Sequence, residues 1–361
     1  MTALDVPDGA GSRPRPVDFG HRTLVVRRAG FALRWPARAV LVGVVLVVLT
    51  IGLVGLALTL GDYPLTPAQV WAALLDDPAA GFARTVVVEW RLPRILAAVV
   101  FGAALGAAGA VFQSLTRNPL ASPDIIGLAA GSYTGALIVI ILIHGTYLQL
   151  AGGAVGGGIL TAAVVYLLAW RRGVQGFRLI IVGIAVSAML TSFNTWLLLT
   201  ADLKVAMSAA AWGAGSLNGT GWAQAIPGGV IVLALLAGLA AYGPGLRQLE
   251  LGDDAARATG ARTEAVRMAV IVIGVALTAT VTAAAGPIMF IALAAPQIAH
   301  RVARTPGITV GSSALTGAFL LAGADIVAQH LMPIEVPVGV VTVVAGGGYL
   351  VWLIIGEIRR R

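Results

Sequence analysis

Few side chains in this 361-residue sequence are placed to do covalent chemistry. There is no cysteine, which excludes a thiol nucleophile, an iron–sulfur cluster and a disulfide framework. A Walker A nucleotide site needs a lysine at the end of a Gly-rich loop, where its ammonium reaches the phosphates. The sole lysine, Lys204, follows Asp202 and Leu203, so ATP hydrolysis by that route is excluded. The run GAGSLNG at 213–219 is Gly-rich but follows no strand, and reads as a turn rather than a phosphate cradle. His21, His144, His300 and His330 are far apart in sequence, so no metal cluster is expected. No spacing argues for a Ser–His–Asp arrangement. Asp325 is the one acid of note inside an apolar run. An acid there is a functional candidate by default; the plainer reading is a carboxylate that bonds neighbouring polar groups.

Two charged clusters remain. Arg91 and Arg94 flank Pro93 at the outer end of an apolar stretch. Arginine recognises carboxylates with planar, bidentate geometry, so the pair suits an acidic partner; anchoring to lipid headgroups is the alternative. The second cluster, LELGDDAARATGARTEAVR at 249–267, is the longest charged stretch outside the N-terminal tail. It reads as two short helices, with Asp253 capping the first, Gly260 ending it, and Arg262 and Thr263 opening the next. Asp253, Asp254, Arg257 and Glu264 alternate with Ala255, Ala258, Ala261 and Val266. Small apolar faces rimmed by charge suit docking into a cleft on another protein. The segment NPLASPD at 118–124 holds two prolines and turn formers, and so breaks the chain between two helices.

The elements that must position these clusters are membrane spans. Hydrophobic residues make up 58% of the chain, charged residues 11%, and the mean hydropathy is +0.91. Soluble domains are about 45–50% apolar and about 25% charged. Apolar stretches of about 20 residues, each long enough to cross a bilayer, lie near 38–60, 92–115, 124–143, 148–170, 179–200, 224–242, 268–285, 287–302, 309–330 and 337–356. The 46 glycines suit close helix packing in lipid. With the N-terminus inside, only Arg84, Arg91, Arg94 and Lys204 of the 24 basic residues fall outside. That asymmetry supports an even span count with both termini cytoplasmic. It also accounts for the net charge of +8 without nucleic acid. Residues 1–37, rich in Pro, Gly and Arg with no apolar period, read as a disordered cytoplasmic tail. No apolar run before Ala39 has the form of a cleavable signal peptide.

Several motifs in order resemble one family, the FecCD/BtuC-like permease subunits of type II ABC importers, which carry iron–siderophore complexes, haem and vitamin B12. They are RLPR (91–94), GAALGAAGAVFQSLTRNPLASPDIIG (102–127), ELGDDAARATG (250–260), GPIMFIALAAPQIAHR (286–301), ADIVAQ (324–329) and EVPVGVVTVVAGG (335–347). The resemblance implies an all-α, BtuC-like polytopic fold with about ten transmembrane helices, set in the cytoplasmic membrane. Residues 38–361 would form the transmembrane permease domain, with 243–267 as its cytoplasmic coupling loop. It further implies a permease dimer, two copies of an ABC ATPase that hold ATP and magnesium, and an extracytoplasmic binding protein; this chain itself would be non-catalytic and free of cofactor and metal.

Residue by residue, the resemblance gives Glu250, Gly252, Asp253, Asp254, Arg257 and Gly260 to ATPase coupling. It gives Arg91 and Arg94 to docking of the binding protein. The translocation route, along the dimer axis, would be lined from the fifth and tenth spans by Ser187, Thr191, Asn194, Trp196, Gly346, Gly347 and Gly348. FRLIIVGI (177–184), NTWLLL (194–199) and GAGSLNG resemble the ferric-enterobactin branch. That branch implies a catecholate siderophore as substrate and a heterodimer with a related permease chain; haem and cobalamin are the alternatives within the family. Two positions depart from the pattern. Gln297 stands where the family often has His, and Gln329 replaces a third basic docking residue. A secondary transporter driven by an ion gradient would need intramembrane acids or broken helices, and Asp325 alone qualifies. A structural or assembly protein would need neither the arginine pair nor the charged loop.

Overall fold

Each of the ten apolar stretches coincides with a helix. The computed structural model describes residues 23–358, apart from 29–30, 125–126, 171–175, 261 and 306. The helices are α1 (Ala37–Thr59), the short α2 (Pro67–Leu74), and α3 (Phe82–Arg84), which continues through a π-turn at Thr85–Arg91 into α4 (Leu92–Thr116). There follow α5 (Leu128–Leu137) with its π-helical extension Ile138–Ile143, α6 (Tyr147–Ala169), α7 (Gly176–Thr200) and α8 (Leu203–Gly213). The chain closes with α9 (Trp222–Glu250), α10 (Asp253–Ala258), α11 (Thr263–Ala285), α12 (Ile291–Ala303), α13 (Val310–His330) and α14 (Val338–Ile358). Among the described residues, seven helices are long and apolar enough to cross a membrane: α1, the continuous Phe82–Thr116 rod, α6, α7, α9, α11 and α13. The α12 helix has 13 residues, about 20 Å at 1.5 Å per residue, short of the ~30 Å hydrocarbon core.

The tail expectation needs correction over part of its length. Strands β1 (Thr23–Arg28) and β2 (Phe31–Pro36) pair antiparallel, with Thr23 opposite Pro36 and Arg28 opposite Phe31. The β-branched Thr23, Val25 and Val26 favour a strand. Residues 1–22 of the tail lie outside the described residues, as do Arg171, Arg172 and 359–361.

The centre of the bundle is α4, whose side chains are almost all buried from Phe101 to Ser114. Small residues make this possible. A Cβ at Gly102 would lie 2.4 Å from the carbonyl oxygen of Gly317, and one at Gly106 would lie 2.2 Å from that of Ser313. Backbone therefore touches backbone where α4 crosses α13, the close approach that glycine allows between helices in lipid. On other faces of α4, Phe101 fills the space above Gly228 of α9 and Phe112 fills that above Gly274 of α11. By contrast α1 and α7 leave most of their apolar surface exposed, as flanking helices in lipid do.

Candidate functional site

At one end of the bundle stand the two arginines. Arg91 ends the π-turn, and Pro93 sits in the first turn of α4, where a missing N–H costs nothing. The Arg91 guanidinium reaches back to donate to the carbonyls of Leu58 (2.8 Å) and Tyr63 (2.7 Å). It thereby satisfies a carbonyl that the C-terminus of α1 leaves without a helical partner. It also lies where Gly61, with φ +131°, would carry a side chain. Arg94 donates to both carboxylate oxygens of Asp325 on α13, at 2.9 and 3.1 Å, and Gln329 donates to the same carboxylate at 2.6 Å. The Asp325 side chain is 2% exposed and that of Arg94 15%. Both arginines, expected to be free for an acidic partner, thus have partners inside this chain. Asp325, the acid singled out within an apolar run, is one half of a buried ion pair. Beside the pair a recess of about 230 Å³ is lined by Asp62, Tyr63, Trp90, His330 and Glu335 together with Arg91.

The charged loop lies at the opposite end of α4. Gly252, with φ +108°, precedes α10, and Gly260, with φ +81°, follows it. The expected break at Gly260 is present, but the second helix is the long α11 rather than a short one. Asp253 does not cap α10. Its carboxylate accepts from Arg267 at 2.7 Å and lies 3.9 Å from Arg117. Arg267, almost fully buried, also donates to Glu264 at 2.8 Å. Glu250 is turned inward, accepting from Ser114 Oγ on α4 at 2.8 Å, while Arg117 donates to the Leu249 carbonyl at 3.1 Å. The loop's free face consists of Asp254, Ala255, Arg257, Ala258 and Gly260, all exposed. Ser114, Arg117 and Arg267 were absent from the residues named for coupling. The signal for Arg267 was its spacing of three from Glu264, a helical ion-pair spacing.

The residues proposed for the route divide. Asn194 is buried, accepting from Thr134 at 2.7 Å and donating to the Ala130 carbonyl at 3.3 Å, so its side chain joins α7 to α5. Ser187 is half-buried against Gly127, while Thr191 and Trp196 are exposed, with Trp196 stacked on Phe193 at 5.6 Å. A Cβ at Gly346 would meet Phe290 at 2.4 Å, whereas Gly347 and Gly348 face open space. Thr191, Trp196, Gly347 and Gly348 therefore present free surface, and Asn194 and Gly346 serve packing. Gln297 donates to Gln113 at 2.6 Å and Gln113 donates to the Leu293 carbonyl at 3.0 Å, a buried chain linking α4 and α12. The GAGSLNG turn packs backbone against backbone: Ser216 N–H bonds the Ala285 carbonyl at 2.7 Å and Gly339 N–H bonds that of Gly215 at 2.9 Å.

This arrangement has two charged ends joined by one buried helix, and among the described residues no cluster that could hold a metal. The sequence profile of the FecCD transport family matches residues 44–356. The chain belongs to that family. It is 49% identical over 302 residues to the ferric enterobactin transport system permease protein FepG of Escherichia coli (strain K12), covering 83% of this chain and 91% of that one. It is 37% identical over 318 residues to the Fe(3+) dicitrate transport system permease protein FecD of the same organism, covering 85% and 96%. It is 36% identical over 321 residues to the iron(3+)-hydroxamate import system permease protein FhuG of Bacillus subtilis (strain 168), covering 83% and 92%. A solved structure described as an inward-facing conformation of an ABC transporter of metal-chelate type superposes with a TM-score of 0.76 at 25% identity, covering 88% of this chain and 99% of that one. This FecCD-family chain is a polytopic membrane permease, a transport component rather than a catalyst.

Proposed function

We propose that this chain is the membrane subunit through which a ferric siderophore of the catecholate, enterobactin-like class is imported, using ATP hydrolysed by two copies of a separate ABC ATPase. The 49% identity to FepG across 83% of the chain carries this reading. The chain crosses the cytoplasmic membrane ten times with both termini cytoplasmic, the three shorter helices α5, α12 and α14 completing the count. The ATPase meets the exposed face of α10 and the Gly260 turn. A soluble extracytoplasmic binding protein docks at the opposite end, near Arg91 and Arg94. A related permease of the FepD type supplies the second half of the route, placed against the open faces of α7 and α14. The Arg94 guanidinium gives Asp325 a fixed counter-charge, which disfavours that acid as the ion carrier of a gradient-driven mechanism.

Uptake of iron-55 delivered on a panel of siderophores, in cells deleted for this gene and in complemented cells, tests the substrate. Loss of catecholate-delivered iron alone is the expected result. Normal uptake from every siderophore, with failure of haem or cobalamin uptake, would reject it.

A further inference from the structure

The end of the molecule that carries α10 holds two open troughs, and of the residues lining them the transport reading uses Glu250. The first turns of α13 stand between them. One trough, about 700 Å³, runs between α1 and α13 past Val40, Gly43 and Leu315. The other, about 320 Å³, runs between α9 and α13 past Leu236, Leu239 and Ala314. Arg247, Glu250 and Thr309 line both and mark where they meet. The two outer walls, α1 and α9, expose large apolar side chains, among them Leu41, Val44, Val48, Val230 and Leu233, so the walls belong to lipid-facing helices.

The charges at the junction are unusual. Arg247 and Glu250 are three residues apart on one helix, a spacing at which opposite charges commonly pair. Among the described residues no ion pair joins them, and Arg247 is exposed with no partner. Glu250 uses Oε1 to accept from Ser114 at 2.8 Å, while Oε2 accepts no hydrogen bond among those residues. α13 begins at the same junction without a side-chain cap. One cation and one anion thus stand side by side where two apolar troughs converge.

That pattern is complementary to a two-tailed lipid with a zwitterionic head. We propose that a diacyl phospholipid with a phosphoethanolamine head seats here, its phosphate on Arg247, its ammonium on Glu250 and one acyl chain in each trough. The guanidinium suits a phosphate by charge-assisted hydrogen bonding, and the carboxylate suits a primary ammonium that can donate. A phosphocholine head has no N–H to give Glu250. A phosphoglycerol head would set net negative charge beside it. The site stands independently of which substrate the permease carries.

Native mass spectrometry of the full chain tests this, after exchange into micelles that supply dioleoyl phosphoethanolamine, phosphocholine and phosphoglycerol lipids in equal amounts. Retention of the phosphoethanolamine lipid should exceed that of the other two by about tenfold. Arg247→Gln and Glu250→Gln should each bring the three to parity. Gly43→Leu, at a position where an added Cβ meets only Leu315 at 3.4 Å, should fill one trough and release the lipid with both charges intact. Equal retention of the three lipids by the unmodified chain overturns the proposal, as does a preference for phosphoglycerol or undiminished selectivity in Arg247→Gln. Thermal melts identify any variant that does not fold; for such a variant, the unmodified chain's selectivity and Gly43→Leu decide the matter.

Discussion

Arg94 grips both carboxylate oxygens of Asp325 across 231 positions of sequence, tying the start of α4 to the end of α13. With Asp325 2% exposed, removing one partner leaves an uncompensated buried charge. Arg94→Leu and Asp325→Leu should each cost about 3–5 kcal/mol. The double variant should recover much of that loss, because two apolar side chains leave no stranded charge. Chemical unfolding of the purified chain in detergent measures all three. Additive single and double effects would show that the pair is not coupled.

Arg267 should matter more to coupling than its place at the end of the loop suggests. It is the buried donor to both Asp253 and Glu264, and hydrogen bonds to charged groups are worth about 1.5–3 kcal/mol each. In vesicles holding the assembled transporter, Arg267→Ala should lower substrate-stimulated ATP hydrolysis and leave the basal rate unchanged. Exchanging the charges, Asp253→Arg with Arg267→Asp, should restore part of the stimulation. No recovery on exchange would argue that packing, not the ion pair, sets the loop.

Gly260 is held by its backbone alone. Its φ is +81° and no atom lies within 4 Å of where a Cβ would stand, so a side chain has room but not the conformation. Gly260→Ala should cost about 1–2 kcal/mol. Asn, which visits the left-handed region more readily, should cost less, and Val more. Transport at equal expression should follow the order Gly, Asn, Ala, Val. Full uptake by Gly260→Val would remove the assignment of this turn to coupling.

The two kinds of glycine can be separated by substitution. Gly102→Ala drives a Cβ to 2.4 Å from the Gly317 carbonyl oxygen, while Gly347→Ala meets nothing within 4 Å. The first should destabilise by about 1–3 kcal/mol through overpacking and lower the melting temperature. The second should leave the melting temperature unchanged, and Gly347→Trp should then reduce transport without loss of stability. A stability loss at Gly347 equal to that at Gly102 would mean that α14 is covered where it is drawn open.

The long apolar helices were legible in the sequence because a bilayer demands about 20 apolar residues of any helix that crosses it; among the described residues seven helices meet that length, and the remaining apolar stretches form shorter ones. Gly260 was legible because glycine marks a backbone state that other residues avoid. The residue partnerships were not. A polar side chain on a greasy helix gives the same signal whether it faces a void or bonds a neighbour. Asn194 therefore reads as a wall residue in the sequence, although its amide bonds Thr134, 60 positions away. The run Gly346, Gly347 and Gly348 has no side chains to report direction, and successive positions of a helix point different ways; Phe290 covers the first and leaves the other two open. Arg267 read as the last charge of a loop because its burial depends on α11 folding beneath it.

The α4 helix carries Arg94 near one end and Ser114 near the other, twenty residues apart, or about 30 Å at 1.5 Å per residue. No loop or hinge interrupts it between those points, and its flanks are wedged by glycine contacts against α13. It is built as a push-rod. A tilt imposed at the arginine end has no slack to be lost in, and must reappear at the Ser114–Glu250 contact as a displacement of the loop. Inserting a flexible glycine pair midway along α4 should then uncouple motion at the arginine end from motion at the Ser114–Glu250 contact.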